Sequence, residues 1–309
     1  MKHETFYLYD DRKDVSLTTY LLEPTSEILN GAQRPLVLIC PGGGYLYCSD
    51  REAEPIALAF NAMGYHAAVL RYSTYFGTKD KIKPNADINP DPDKIFPQPM
   101  IEIAMAFELI HSYSNEWNVD SQAIGLCGFS AGGHNASMYA THWHKSIIQN
   151  ATQLKKQALQ PAFLISGYGL LDLEYAMAES YRSEDPQELE LANKLLLATT
   201  GQSMASNEDL QKLSPVNAVT KKTPPTFLWA TSEDKVVNPQ DTAQMAVSLA
   251  REGVPFEMHV YEEGVHGLST ANYASANARD QLNNQANHWL RDVEAWLTRH
   301  ISLDSHFQN

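Results

Sequence analysis

Four short stretches of this 309-residue chain carry residue types suited to nucleophilic chemistry. The first, GFSAGGH (128–134), sets Ser130 between Gly128 and Gly132, directly after the apolar run AIGLC. Three fixed positions of this kind arise by accident in about one chain in ten of this length, so the surroundings must decide. A serine nucleophile needs exposure on a rigid turn, a base to take its proton, and donors for the oxyanion that forms. Between a strand and a helix, the two glycines let those elements crowd around a strained turn and leave the hydroxyl proud of the sheet. The helix that follows points its N-terminus at the developing negative charge.

The base should be a histidine in the loop after the last strand, oriented by a carboxylate after the strand before it. FEMHVYEEGVHGL puts His266 in such a loop, and FLWATSEDKVVNP puts Asp234 just beyond TFLWATS. The chain order is then Ser130, Asp234, His266. Asp172, in GLLDL after an earlier strand, is the reserve acid, with Glu233 a weaker one. Most other histidines fall in helices, where packing or solvation accounts for them, and His259 alternates into a strand. His142 and His144 diverge on a helix and make a poor metal pair.

PGGGY (41–45) follows the apolar run PLVLIC. Its glycines let the backbone fold tightly and aim N–H groups into a site, the plain alternative being a flexible turn. Together with the N–H of Ala131 they would complete an oxyanion hole, in which the loss of one donor typically costs on the order of 10²–10³ in rate. No lysine follows that would make the loop a phosphate cradle.

These residues must be held by ordered elements. TFYLY (5–9) and VSLTTYLL (15–22) are β-rich. PLVLIC (35–40) has the continuous apolar character of a strand buried on both faces. Helical spacing at 51–64 and 101–114 alternates with strands at 66–72 and 123–128, and a helix starts near Ala131. FLISGYG, TFLWATS and FEMHVYE repeat the strand signal before a final helix over 278–300. Strand and helix alternating from residue 35 onward predict an α/β fold on a mostly parallel sheet, in one domain spanning 1–309. Two stretches break the alternation. Residues 75–99, with five prolines and many charges, read as a long rim loop. Residues 172–223 carry helical segments without a strand and read as a cap insertion over the strand ends, where such sheets bind ligands; the alternative is that both are surface excursions.

Composition narrows the function. Hydrophobic residues make up 43% and charged residues 19%, as in ordinary globular proteins. A net charge of −14 repels nucleic acid and anionic membranes, so neither is an expected partner. The N-terminal residues contain no apolar run long enough for a signal peptide, and no segment approaches a membrane span. Cys40, Cys48 and Cys127, odd in number and near strands, read as reduced structural residues, which points to the cytoplasm.

Taken together, PGGGY, GFSAGGH, TSEDKVV and GVHGL resemble the α/β-hydrolase superfamily across residues 34–300. More narrowly they are similar to bacterial acetylesterases and carboxylesterases related to acetyl xylan esterases and to hormone-sensitive-lipase-like esterases. The resemblance implies an α/β-hydrolase fold with a helical cap, oxyanion donors at Gly43 and Gly44, and no cofactor. Pro41 stands where many relatives have histidine, which favours the xylan-esterase-like branch. The implied substrate is a small-molecule ester of a short acyl chain, such as acetyl on a carbohydrate. Tyr45 and Tyr47 are candidates to line its pocket, with packing under the rim as their alternative role. Competing readings are a feruloyl esterase, a lipase, a small peptidase on this fold, or a binding protein on a hydrolase scaffold. Homo-oligomerisation is left open.

Overall fold

In this computed structural model the described residues are 1–77, 89, 91–182, 185–202, 204–301 and 303, with backbone alone at 187–188. An eight-stranded sheet runs in the order β1-β2-β4-β3-β5-β6-β7-β8. Its strands are β1 (Lys2–Tyr7), β2 (Ser16–Leu21), β3 (Arg34–Cys40), β4 (His66–Arg71), β5 (Val119–Phe129), β6 (Leu164–Gly167), β7 (Thr226–Thr231) and β8 (Phe256–Tyr261). β2 pairs antiparallel with both β1 and β4, and every pair from β4 through β8 is parallel. This is the mostly parallel sheet expected from the alternation, in the α/β-hydrolase arrangement that the resemblance implies.

The helices are α1 (Glu54–Ala62), α2 (Gln98–Tyr113), α3 (Ala131–His142), α4 (Ser146–Gln149), α5 (Leu173–Arg182), α6 (Pro186–Thr200), α7 (Asn207–Lys212), α8 (Pro239–Glu252) and α9 (Trp289–His300). Because strand side chains alternate between faces, β3 feeds both cores. Leu36 and Leu38 pack on one face with Ile103 and Phe107 of α2, Met138 of α3 and Met245 of α8. Val37 and Ile39 pack on the other with Ile56 and Phe60 of α1 and Trp289, Val293 and Trp296 of α9.

Three expectations are corrected. The final helix is shorter than 278–300, because only from Trp289 do apolar residues recur at helical spacing (Trp289, Val293, Trp296, Leu297); Arg279–Gln281 and Ala286–His288 are single 3-10 turns. Helix α8 stands between the last two strands, where the sequence pattern predicts none; its buried Thr242, Met245, Ala246 and Leu249 fall at helical spacing, and Asn238 caps it by accepting from the Gln240 N–H. The stretch 75–99 runs into α2 at Gln98, while 78–88 and 90 lie outside the described residues.

The segment between β6 and β7 is helical, carrying α5, α6 and α7. Leu173, Met177, Ala192, Leu196 and Leu210 form a small core of their own with Leu170 and Val237. Of the insertion's leucines, Leu196 is wholly buried whereas Leu191 is 43% exposed. Among the described residues no helix is long and apolar enough to cross a membrane, and no cluster of His, Cys, Asp or Glu could hold a metal ion.

Candidate active site

Ser130 lies between β5 and α3 with φ 51° and ψ −122°, a conformation a non-glycine residue adopts only when its surroundings impose it. Its N–H donates to the Gly167 carbonyl at 3.1 Å, and its own carbonyl accepts from His134 and Leu170. Close packing accounts for the glycine two residues on. A Cβ at Gly132 would sit 2.0 Å from the Cys40 carbonyl oxygen, so helix α3 can approach the end of β3 only through a glycine.

The structure brings together three residues singled out from the sequence. His266 Nε2 is 2.9 Å from Ser130 Oγ, and His266 Nδ1 is 2.7 Å from Asp234 Oδ2. A carboxylate oxygen only accepts, so Nδ1 carries the proton and Nε2 turns a lone pair to the Ser130 hydroxyl. The Asp234 side chain is fully buried. Its other oxygen accepts from the N–H groups of Val236 and Val237 at 2.9 and 3.0 Å, which fixes the carboxylate. The reserve acids do other work. Asp172 accepts from the Tyr175 N–H in the first turn of α5, and Glu233 accepts from the Gly264 N–H ahead of His266.

The glycine loop after β3 abuts this centre. Gly43 (φ 124°) could not carry a side chain, since its Cβ would fall 2.0 Å from the Tyr47 carbonyl oxygen. The Gly42 N–H donates to Glu52 Oε2 at 2.8 Å. The N–H groups of Gly43, Gly44 and Ala131 have no acceptor among the described residues and stay available to an incoming oxygen.

Tyr45 is 1% exposed and forms a packed contact, with Tyr72, Phe96 and His134 edge-on around its ring. Its hydroxyl donates to His134 Nδ1 at 2.5 Å, while His134 Nε2–H donates to the Leu213 carbonyl at 2.6 Å. Burial lowers the His134 pKa to about 4, in keeping with a neutral ring serving as donor and acceptor at once. Tyr45 is therefore packed under the rim instead of facing an open pocket, whereas Tyr47 is half-buried beside the loop.

Sequence reasoning missed Glu52 and Tyr168. Glu52 is 4% exposed and accepts from Gly42 and, at 2.7 Å, from the Tyr168 hydroxyl. The Tyr168 ring meets the His266 ring edge-on, with centroids 5.1 Å apart. Neither stands at a motif position, and their contact spans 116 residues of chain.

The BD-FAE family profile matches residues 29–249. Endo-1,4-beta-xylanase B of Butyrivibrio fibrisolvens is 30% identical over 241 residues, covering 78% of this chain and 33% of that protein. Acetylxylan esterase of Xylanibacter ruminicola is 23% identical over 297 residues, covering 95% of this chain and 51% of that protein. The chain thus spans about a third and about a half of the curated relatives it matches. Among solved structures, an acetyl ester-xyloside bifunctional hydrolase from Caldicellulosiruptor lactoaceticus superposes with a TM-score of 0.73 at 26% identity, over 96% of both chains. The carboxylesterase Cest-2923 from Lactobacillus plantarum WCFS1 superposes with a TM-score of 0.74 at 25% identity, over 100% of both.

Proposed function

Since this chain belongs to the BD-FAE family, we propose that it is a serine carboxylesterase that removes short acyl groups, acetyl above all, from small esters such as acetylated carbohydrates. The observation that carries the reading is the line from Asp234 through His266 to Ser130, with contacts of 2.7 and 2.9 Å, on a strained strand-to-helix turn. The resemblance to an acetylxylan esterase and to an acetyl ester-xyloside hydrolase supports acetyl as the acyl group and a sugar hydroxyl as the leaving group.

Ser130 Oγ attacks the ester carbonyl carbon as its proton passes to His266 Nε2. The carbonyl oxygen becomes an oxyanion, received by the free N–H groups of Gly43, Gly44 and Ala131. Asp234 stabilises the imidazolium and keeps the ring oriented. Collapse of the intermediate breaks the bond to the alkoxide, which leaves with the proton from Nε2, and the acyl group stays on Ser130. Water, deprotonated by His266, then attacks the acyl carbon; the bond to Ser130 Oγ breaks, the proton on His266 returns to Ser130, and the carboxylic acid is released. Through Leu170 and Val237 the insertion core packs on the residues that flank Ser130 and Asp234. That contact supports a cap that narrows the acyl site, with Tyr47 beside it.

Turnover measured across acetyl to octanoyl nitrophenyl esters and acetylated sugars tests the reading. The proposal expects activity on acetyl esters that Ser130→Ala abolishes. Undiminished activity in Ser130→Ala would sink it.

A further inference from the structure

We propose that Glu52 is a positioning residue: its one carboxylate holds both the glycine loop and Tyr168, and so sets the oxyanion donors and His266 against Ser130. The inference rests on the esterase reading above.

Glu52 closes the 3-10 turn Asp50–Glu52 and is buried. Its two oxygens accept from two different strand-end loops: Oε2 from the Gly42 N–H at 2.8 Å and Oε1 from the Tyr168 hydroxyl at 2.7 Å. A carboxylate only accepts, so the Tyr168 hydroxyl donates to Glu52 while its oxygen accepts from the Ser269 N–H at 2.9 Å. Ser269 stands three residues beyond His266, and its hydroxyl donates to the carbonyl of Arg51, the neighbour of Glu52. One short turn therefore fastens the glycine loop, the loop after β6 and the loop that carries the base.

Geometry places this fastening at the chemistry. A Cβ on Gly42 would lie 2.7 Å from Glu52 Oε2 and 3.0 Å from Ser130 Cβ, so Gly42 is wedged between the carboxylate and the nucleophile. With the Gly42 N–H turned back to Glu52, the N–H groups of Gly43 and Gly44 are the loop donors left for the oxyanion. Tyr168 in turn supports the His266 ring edge-on. No cation among the described residues lies within ion-pair distance of Glu52. A buried carboxylate without a counter-ion is costly, and packing alone would be served better by an apolar residue. What an apolar residue cannot do is accept two hydrogen bonds at once. Glutamine cannot serve both, because the two bonds reach different oxygens and its amide nitrogen would replace one of those acceptors.

The test uses Glu52→Gln, Tyr168→Phe and the double variant. A fluorophosphonate taken to completion counts active sites, and kcat per counted site and KM are measured on nitrophenyl acetate. Glu52→Gln is expected to lower kcat per site by about 10- to 100-fold, the scale of a misplaced donor or base, with KM within about twofold. Tyr168→Phe should lower it by about tenfold, and the double variant should be no worse than Glu52→Gln, since both act through one carboxylate. A merely structural role would reduce Tm or the count of sites and leave kcat per site unchanged, which overturns the proposal. Losses that multiply in the double variant overturn it as well. If Glu52→Gln does not fold, Tyr168→Phe decides alone by the same readout. Wild-type protein with no Ser130-dependent turnover would instead defeat the esterase reading itself.

Discussion

Ser130, Asp234 and His266 lie at three strand ends, and the chemistry asked of each follows from what holds it. The positive φ of Ser130 persists because its N–H and carbonyl are bonded to Gly167, His134 and Leu170. That arrangement depends on Gly132. In Gly132→Ala the added methyl would meet the Cys40 carbonyl oxygen at 2.0 Å, with backbone on both sides of the clash. We expect this variant to lose activity by orders of magnitude, and soluble protein with wild-type kcat would contradict the close-packing argument. Asp234→Asn should lower kcat by about 10⁴, because an amide cannot hold the histidine in the required tautomer. Asp172→Asn should stay within a few-fold of wild type, since its partner is the Tyr175 N–H; a larger loss for Asp172→Asn than for Asp234→Asn would move the acid. These three residues were legible in sequence because each sits at a fixed offset from an apolar strand. Glu52 and Tyr168 were not, since their role comes from contacts between distant segments that no local pattern records.

At the scale of elements, the loop after β6 is tied to α8 through one buried residue. Asp241 Oδ2 accepts from the N–H groups of Leu171 and Asp172, where the insertion leaves the sheet. Burial raises its pKa from 3.8 to about 7. The folded chain therefore keeps this proton up to about pH 7, whereas the unfolded chain releases it near 3.8. Between those values the folded state binds the extra proton, so this group's contribution to stability falls as pH rises through the window. Asp241→Asn retains an acceptor for both N–H groups and has no proton to lose. Its Tm should exceed that of wild type at pH 8 by several degrees, at about 2–4 °C per kcal/mol, and the gain should shrink as pH falls from about 7 and vanish only near 3.8. No gain at pH 8, measured by calorimetry, would contradict a carboxyl held protonated by burial. The inner strands β3 and β4 were legible as apolar runs, whereas β1, β2 and β8 carry only a β-rich mix of polar and apolar residues. The sequence misled over 278–288, where ARDQLNNQANH lacks an apolar stripe yet precedes a helix that has one.

Across the whole molecule, the parallel strands β3, β5, β7 and β8 bring Gly43, Ser130, Asp234 and His266 to one edge of the sheet. The insertion packs on that edge through Leu170 and Val237 and is tied to the loop before α2 by the Phe96 N–H to Thr199 carbonyl bond of 2.8 Å. Turnover should therefore drop steeply between butyryl and octanoyl nitrophenyl esters; equal rates on acetyl and octanoyl esters would show that the insertion does not restrict the acyl site. The alternation of strand and helix, and the helical stretch without a strand between β6 and β7, could be read from the sequence. How the insertion seats could not, because only some of its leucines turn inward, Leu196 fully and Leu191 barely. We expect one serine of this chain, Ser130, to be the covalent nucleophile. Reaction of the whole protein with a fluorophosphonate, followed by mass measurement and peptide mapping, reads this directly. The account predicts a single adduct, on Ser130, formed in step with the loss of esterase activity and absent in Ser130→Ala. An adduct on another serine, or full activity remaining after Ser130 is modified, would contradict it.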